Sequence, residues 1–421
     1  MRVTFRLWAA PTRFRRTFSP SRYWDFERRS NSGEAWAMDF DFTDEQRMLK
    51  DSVERLVKDE YGFEQRAKYL AEADGFSRAQ WARYAEMGLL GLSFDEAYGG
   101  SNCGPVETMI VMEALGRGLA VEPYLATVVL GGGLVRIGGN AAQREAILPK
   151  IAQGELLMAF AHGEAQARYD LADVATTARR EGDAWIIDGA KRIVLHGDSA
   201  DLLVVSARVS GSRRERDGIG LFVVRGDAAG VTRRGYPTQD RLRAADIELS
   251  GVRVPDSDVL GVAGAALPLI ETVVAHAIAA VSAEAVGAMA AAHEETVEYL
   301  KVRKQFGQPI GSFQALQHRA VDMLVAVEQA RSMALFATMM ADEPDAAERD
   351  RSMAASKVQI GRSGRFVGQQ GVQLHGGIGM TEECKVGHYL RRLSVIDIQF
   401  GSTEHHLAQL ADAGGLIDAA A

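Results

Sequence analysis

Cysteine is scarce in this chain. Cys103 and Cys384 are its only two in 421 residues, and they lie far apart with no metal-binding or redox spacing. That excludes a disulfide framework and a thiolate metal cluster, and makes a reducing cytoplasm the default compartment. Long apolar runs are missing too: none reaches the roughly 20 residues that a membrane-spanning helix needs. Outside the amino terminus acidic residues outnumber basic ones. Residues 1–37 hold eight arginines against Asp25, Glu27 and Glu34, a balance of +5, so a chain of net charge −8 carries −13 on the remainder. An acidic body offers no footprint for nucleic acid.

The Arg-rich, acid-poor start has the composition of an organelle targeting peptide. Its aromatics, Trp8, Trp24 and Trp36, follow no helical periodicity, however, and Met38-Asp39-Phe40-Asp41-Phe42 looks like a natural beginning. Residues 1–37 are therefore expected to be a disordered basic extension or a misassigned start. The rest is ordinary globular material, 47% hydrophobic and 25% charged, enough for two or three domains.

From Thr43 the pattern is helical. Thr43 followed by Gln46 reads as a capping box, and Met48, Leu49, Val53 and Leu56 recur at helical spacing. A second helix is expected from Ser77 to Met87, stopped by Gly88; Gly99-Gly100 marks a turn; and Pro105 opens another helix at a position where its missing N–H costs little. Around residue 156 the texture changes to short β-branched runs bounded by Gly and Asp: Ala184–Gly189, Ala200–Ala207, Gly220–Val224 and Ala245–Leu249. These read as a compact β domain, with Gly211–Gly218 as a polar hairpin loop of solvated arginines. From about Leu267 alanine-rich helices return. Ile278, Val281, Ala285, Ala288 and Ala292 make a small-residue face, and Met333, Met339 and Met340 are expected to fill core. The expected domains are 38–155, helical; 156–265, β; and 266–421, a helical bundle.

Several motifs stand in that order: Gly88-Leu89-Leu90-Gly91-Leu92 with Tyr98-Gly99-Gly100; Ile187-Asp188-Gly189-Ala190-Lys191; Arg303-Lys304-Gln305-Phe306-Gly307; and Gln373-Leu374-His375-Gly376-Gly377-Ile378-Gly379. Together they resemble the acyl-CoA dehydrogenase family over nearly all of residues 38–412. Within it, Arg168–Arg180 and Val194–Asp201 look most like the small subunit of pimeloyl-CoA dehydrogenase. The resemblance implies an α+β fold with an N-terminal helical domain, a central β domain and a C-terminal four-helix bundle. It implies FAD, an acyl-CoA substrate oxidised across its α and β carbons, and electron-transfer flavoprotein as acceptor. A related large subunit, completing a heterotetramer, is implied as well.

The resemblance also assigns residues. Arg303, Phe306, Gln373, Gly376 and Gly377 fall where the family reaches across a dimer interface to a neighbour's FAD, and Ser402 falls in the loop that also contacts the cofactor. A fixed guanidinium suits phosphate oxygens, and glycines let backbone approach closely. The catalytic positions are different. Phe400 occupies the place of the family's carboxylate base, and the alternative site on the preceding helix falls on Ala277, so no catalytic residue is assigned. The middle domain departs as well: Gly163 and Leu195 replace threonines that would hydrogen-bond the flavin, and Arg168 and Tyr169 fill space a ligand normally takes. His276, Glu271 and Asp397 are nearby in sequence and are expected to be structural, as is the turn residue His196. The favoured expectation is a subunit that works with a base-bearing partner. The alternatives are a scaffold that binds neither FAD nor CoA, and a self-sufficient homotetramer using His276 or Glu271.

Overall fold

The computed structural model describes residues 42–414, so the basic extension at 1–37 lies outside the described residues. The chain starts helical: α1 (Asp44–Glu60), α2 (Phe63–Leu70), α3 (Arg78–Glu86) and α4 (Pro105–Gly118). Each start follows its sequence signal. Thr43 and Gln46 form the reciprocal capping box, the Ser77 side chain caps α3, and Pro105 occupies the first turn of α4. A buried π-helical stretch, Leu125–Gly132, runs into α5 (Gly133–Gly138), and α6 (Ala141–Ala152) closes this part. Its apolar composition has no period that separates it from an ordinary helix, so nothing in the residue pattern marks the π geometry.

The middle of the chain is one mixed sheet of eight strands: β1 (Met158–Ala161), β2 (Thr177–Glu181), β3 (Ala184–Leu195), β4 (Leu202–Arg208), β5 (Ile219–Arg225), β6 (Val231–Pro237), β7 (Arg243–Pro255) and β8 (Val259–Leu260). The order is β6-β7-β3-β2-β4-β5-β8, with β1 parallel to β4. β4 and β5 pair antiparallel and are buried almost throughout, as continuous Val/Leu/Phe runs require, while β6 alternates toward solvent. The β3–β7 ladder is broken twice, between Ile187 and Gly189 and between Lys191 and Val194. At the second break Ile193 takes a positive φ of 54° and points outward. The arginines of the 211–218 loop are not simply solvated: Arg213 and Arg214 pair with Asp173, and Arg216 with Glu271.

The last third is helical again: α7 (Leu267–Val302), a small hairpin of β9 (Lys304–Gln305) and β10 (Gln308–Pro309), then α8 (Gln314–Met340), α9 (Ala346–His375), α10 (Lys385–Ile398) and α11 (Thr403–Asp412). α7 is the axis, packing on α4, α8, α9 and α10. By length and composition it could cross a membrane, but 94% of its most apolar window is buried in protein, so it is a core helix. Two glycines allow α4 and α7 to touch backbone to backbone: a Cβ on Gly116 would collide with the Glu284 carbonyl, and one on Gly287 with the Glu113 carbonyl.

The helical, β and helical parts meet at a buried charge cluster. Arg392 of α10 makes a bidentate contact with Glu284 of α7 at 2.5 and 2.6 Å and reaches Asp240 of the β6–β7 connection at 2.7 Å. Arg66 of α2 donates to the Asp240 carbonyl at 3.4 Å. Losing one partner here would strand a buried charge, so the cluster specifies how the three parts meet.

Candidate functional site

The residues assigned in sequence fall at two separate places. At the first, α7 ends and Arg303 follows as its C-cap; the chain then turns through Phe306 and Gly307, both at positive φ. α9 ends alongside. The Tyr299 ring stacks on His375 with centroids 4.3 Å apart, and the Tyr299 hydroxyl donates to the His375 carbonyl at 3.3 Å. This contact holds the two helix ends together. Arg303, Phe306, Gln373, Gly376 and Gly377 are thus gathered at one end of the bundle, all of them exposed, Phe306 to 90%. A Cβ at Gly307, Gly376 or Gly377 would meet nothing within 4 Å, so the backbone there is open to a neighbour. The surface offers a guanidinium, an aromatic face, an amide side chain and uncovered peptide groups, a set suited to a phosphate-bearing molecule from outside this chain.

The second place is the turn after α10. Gln399 has φ −69° and ψ 130°, and Phe400 then takes φ 57°, a left-handed conformation that bulky side chains avoid. Three side chains hold the turn. Lys357 of α9, wholly buried, donates to the Ile396 carbonyl at 2.5 Å and the Asp397 carbonyl at 3.2 Å, and burial drags its ammonium down to about 7. The Asp397 carboxylate accepts from the Thr403 hydroxyl at 2.7 Å and pairs with Arg365 at 2.9 Å. His406 places Nε2 3.0 Å from the Phe400 carbonyl; burial and the nearby Lys357 pull its imidazole down to about 4, so it is neutral and Nε2–H donates. Ser402 accepts from the His405 N–H at 3.3 Å and is the N-cap of α11.

Ser402 is therefore not beside the other five. Gly361 of α9 packs against Asp397 and Thr403, and the run from there to Gly376 corresponds to about 22 Å of helix.

Among the described residues, no carboxylate stands free where the resemblance puts a base. Ala277 is buried in α7. His276 Nε2 lies 3.0 Å from Asp342, and both Glu271 oxygens accept from Arg216, at 2.6 and 2.9 Å. Asp397 is consumed by the turn it holds. The sequence reading missed Lys357 and His405. The His405 ring meets Tyr169 at 4.9 Å between centroids, joining α11 to the segment before β2. The His405-His406 pair just past Phe400 was the readable signal for that contact. Lys357, inside an alanine-rich helical stretch, left none.

The middle-domain residues at the corresponding positions are held in the domain's own hydrogen bonds. Glu164, one of the two residues kept from the family's pattern there, accepts from Lys191 Nζ at 2.6 Å and from the backbone N–H groups of Ala175 and Thr176 at 2.8 and 3.1 Å. Burial alone would raise its carboxyl, but Lys191 and these donors win and hold it at about 2. Lys191 also reaches Ser206 at 3.0 Å, and Ser206 lies 2.8 Å from His162 Nδ1. Gly163 and Leu195 present no side-chain donor, and Arg168 adopts a positive φ of 49° beside Tyr169. These residues do not fit the hydrogen-bonding edge of a flavin ring, whereas the exposed end of the bundle fits a dinucleotide's phosphates. His196 is a turn residue as expected, and it is also buried, with its imidazole pushed down to about 4 by burial and the Arg392 charge.

Three family models match the chain in succession: the acyl-CoA dehydrogenase N-terminal domain over residues 43–155, the middle domain over 159–252 and the C-terminal domain over 267–415. The chain is 29% identical over 372 residues to the probable acyl-CoA dehydrogenase YngJ of Bacillus subtilis, covering 87% of this chain and 97% of that protein. It is 31% identical over 318 residues to acyl-CoA dehydrogenase fadE12 of Mycobacterium bovis, covering 73% of this chain and 80% of that protein. Among solved structures, the ChsE4-ChsE5 complex from Mycobacterium tuberculosis contains a chain that superposes with a TM-score of 0.79 at 25% identity, over 89% of this chain and 98% of that one.

Proposed function

This chain belongs to the acyl-CoA dehydrogenase family of FAD-dependent oxidoreductases, and from that premise we propose that it works as the base-less subunit of a heteromeric acyl-CoA dehydrogenase. The partner, a related subunit, seats FAD in its own middle domain and brings the carboxylate that removes the α-proton. FAD supplies the hydride acceptor. This chain would contribute the other wall: Arg303 would hold the pyrophosphate, Phe306 and Gln373 would lie against the cofactor, and Gly376 and Gly377 would let the backbone come close. Ser402 belongs to the chain's own degenerate half-site.

The observation that carries this reading is a division within one molecule. The surface facing outward is complete, while the inward pocket has Phe400 for a base and Gly163 and Leu195 for flavin donors. The complex of two named components formed by ChsE4 and ChsE5 supports a paired arrangement for this chain. The similarity of Arg168–Arg180 to pimeloyl-CoA dehydrogenase small subunits favours a dicarboxylyl-CoA such as pimeloyl-CoA as substrate, with electron-transfer flavoprotein as acceptor and the cytoplasm as compartment.

Purifying the chain alone and with its partner, then measuring flavin absorbance and turnover, tests the proposal. The pair is expected to hold FAD and turn over, and the chain alone to do neither. Full FAD occupancy and activity in the lone chain would overturn it in favour of a displaced base. An Arg303→Ala variant that leaves the FAD content of the complex unchanged would favour a scaffold role.

A further inference from the structure

The exposed turn that carries Gly376 and Gly377 is held at both ends. At its start His375 is fixed by the stacked Tyr299 ring and by the Gly371 carbonyl, 2.8 Å from its Nδ1. Past its end, between the 3-10 turn Gly376–Met380 and α10, stands Glu382. The Glu382 carboxylate accepts from Arg391 of α10 at 2.5 Å and from Arg241 of the β6–β7 connection at 2.7 Å. Its carbonyl lies 3.0 Å from Nε2 of His388, whose ring meets that of Phe63 of α2 edge-on with centroids 4.9 Å apart. Arg391 first, and Arg241 after it, hold the carboxyl below its ordinary value, so it is ionised. This one residue is thereby tied to the C-terminal bundle, the middle domain and the N-terminal helices. Arg241 takes a left-handed φ of 70°, and its neighbour Asp240 is gripped by buried Arg392, so the guanidinium is delivered from fixed backbone. Between the two anchors, Gly379 alone of the five turn residues is buried.

We propose that Glu382 is a positioning residue, which with Arg241 fixes the Gly376–Gly377 turn relative to the middle domain so that its peptide groups meet the partner's cofactor. The inference rests on the proposed function and deepens it. Uncovered peptide groups hold a ligand only when the backbone that bears them is held in place by a supporting shell. An isolated surface ion pair would contribute little to that. Here one carboxylate receives guanidinium groups from two domains, so removing it frees the whole segment after the turn. Neither Glu382 nor Arg241 touches the cofactor in this reading; both act through the turn.

The assembled enzyme, this chain with the related subunit, is the material for the test. Glu382→Ala and Arg241→Ala are each expected to speed flavin release on dilution by about fivefold, and the double variant by little more than either single one, because both cut the same link. The visible circular dichroism of the bound flavin is expected to change in each. Arg241→Lys, which keeps a charged donor, is expected to restore most of the retention. Arg241 is half exposed, so its two variants carry the test if Glu382→Ala fails to fold. Unchanged flavin release and an unchanged flavin spectrum in Arg241→Ala would overturn the inference, as would fully additive effects in the double variant. Arg303→Ala, measured in parallel, separates the two levels: if it weakens FAD retention while the Glu382 and Arg241 variants do not, only the positioning role fails. If none of the three variants alters retention, the proposed function fails and this inference with it.

Discussion

Phe400 holds a position that is costly for it. A bulky residue at φ 57° costs about 1–3 kcal/mol, and the bonds from Lys357, Asp397 and His406 hold the turn nonetheless. The turn presents Phe400 where the resemblance puts a carboxylate. Phe400→Glu in the lone chain is therefore expected to give no dehydrogenase turnover, because Gly163 and Leu195 still offer a flavin nothing to bond; an acyl-CoA assay with an artificial electron acceptor checks it. Arg303→Ala in the assembled enzyme is expected to weaken FAD retention by about 10- to 100-fold, the range for losing a charge-assisted phosphate contact, as read by flavin release on dilution. Buried histidines supply a pH signature. His196 and His406 are neutral in the fold with imidazoles near 4, below the 6.5 of an unfolded chain. Between those values only the unfolded state takes up the protons, so stability is fully present above about pH 6.5 and falls as pH drops toward 4, by roughly 3 kcal/mol per group. Urea midpoints measured from pH 7 to 4.5 should fall accordingly, with a shallower slope in His196→Asn.

Among the elements, the helix starts were the most legible, because a cap is a local event: Thr43, Ser77 and Pro105 each did what their chemistry dictates. The strands were legible where apolar runs were bounded by Gly and Asp. β6, rich in arginine and glycine, was not read, since its place is set by pairing with β7 rather than by its own pattern. The site was legible only as far as its motifs. That Arg303 and Gln373 share one end of the bundle follows from α7 and α9 being neighbours, whereas the distance of Ser402 from them depends on α10 running back along α9. The α4–α7 crossing carries its own test. Gly287→Ala, which forces a methyl into the Glu113 carbonyl, is expected to cost about 2–3 kcal/mol, seen as a lower urea midpoint, while Gly307→Ala, facing open space, costs only what its positive φ imposes.

At the scale of the whole molecule, the chain divides its labour between two surfaces. Inward, the middle domain and the α10–α11 turn are tied up by their own hydrogen bonds: Glu164 by Lys191, Asp397 by Thr403 and Arg365, Glu271 by Arg216. Outward, Arg303, Phe306 and Gln373 stand exposed at one end of the bundle. On the proposed function, this chain completes another molecule's site rather than its own. The most direct test is the flavin content and acyl-CoA turnover of the purified chain with and without the related subunit. The account predicts a colourless, inactive chain alone and a yellow, active complex. FAD bound at one per chain with turnover in the absence of any partner would contradict it.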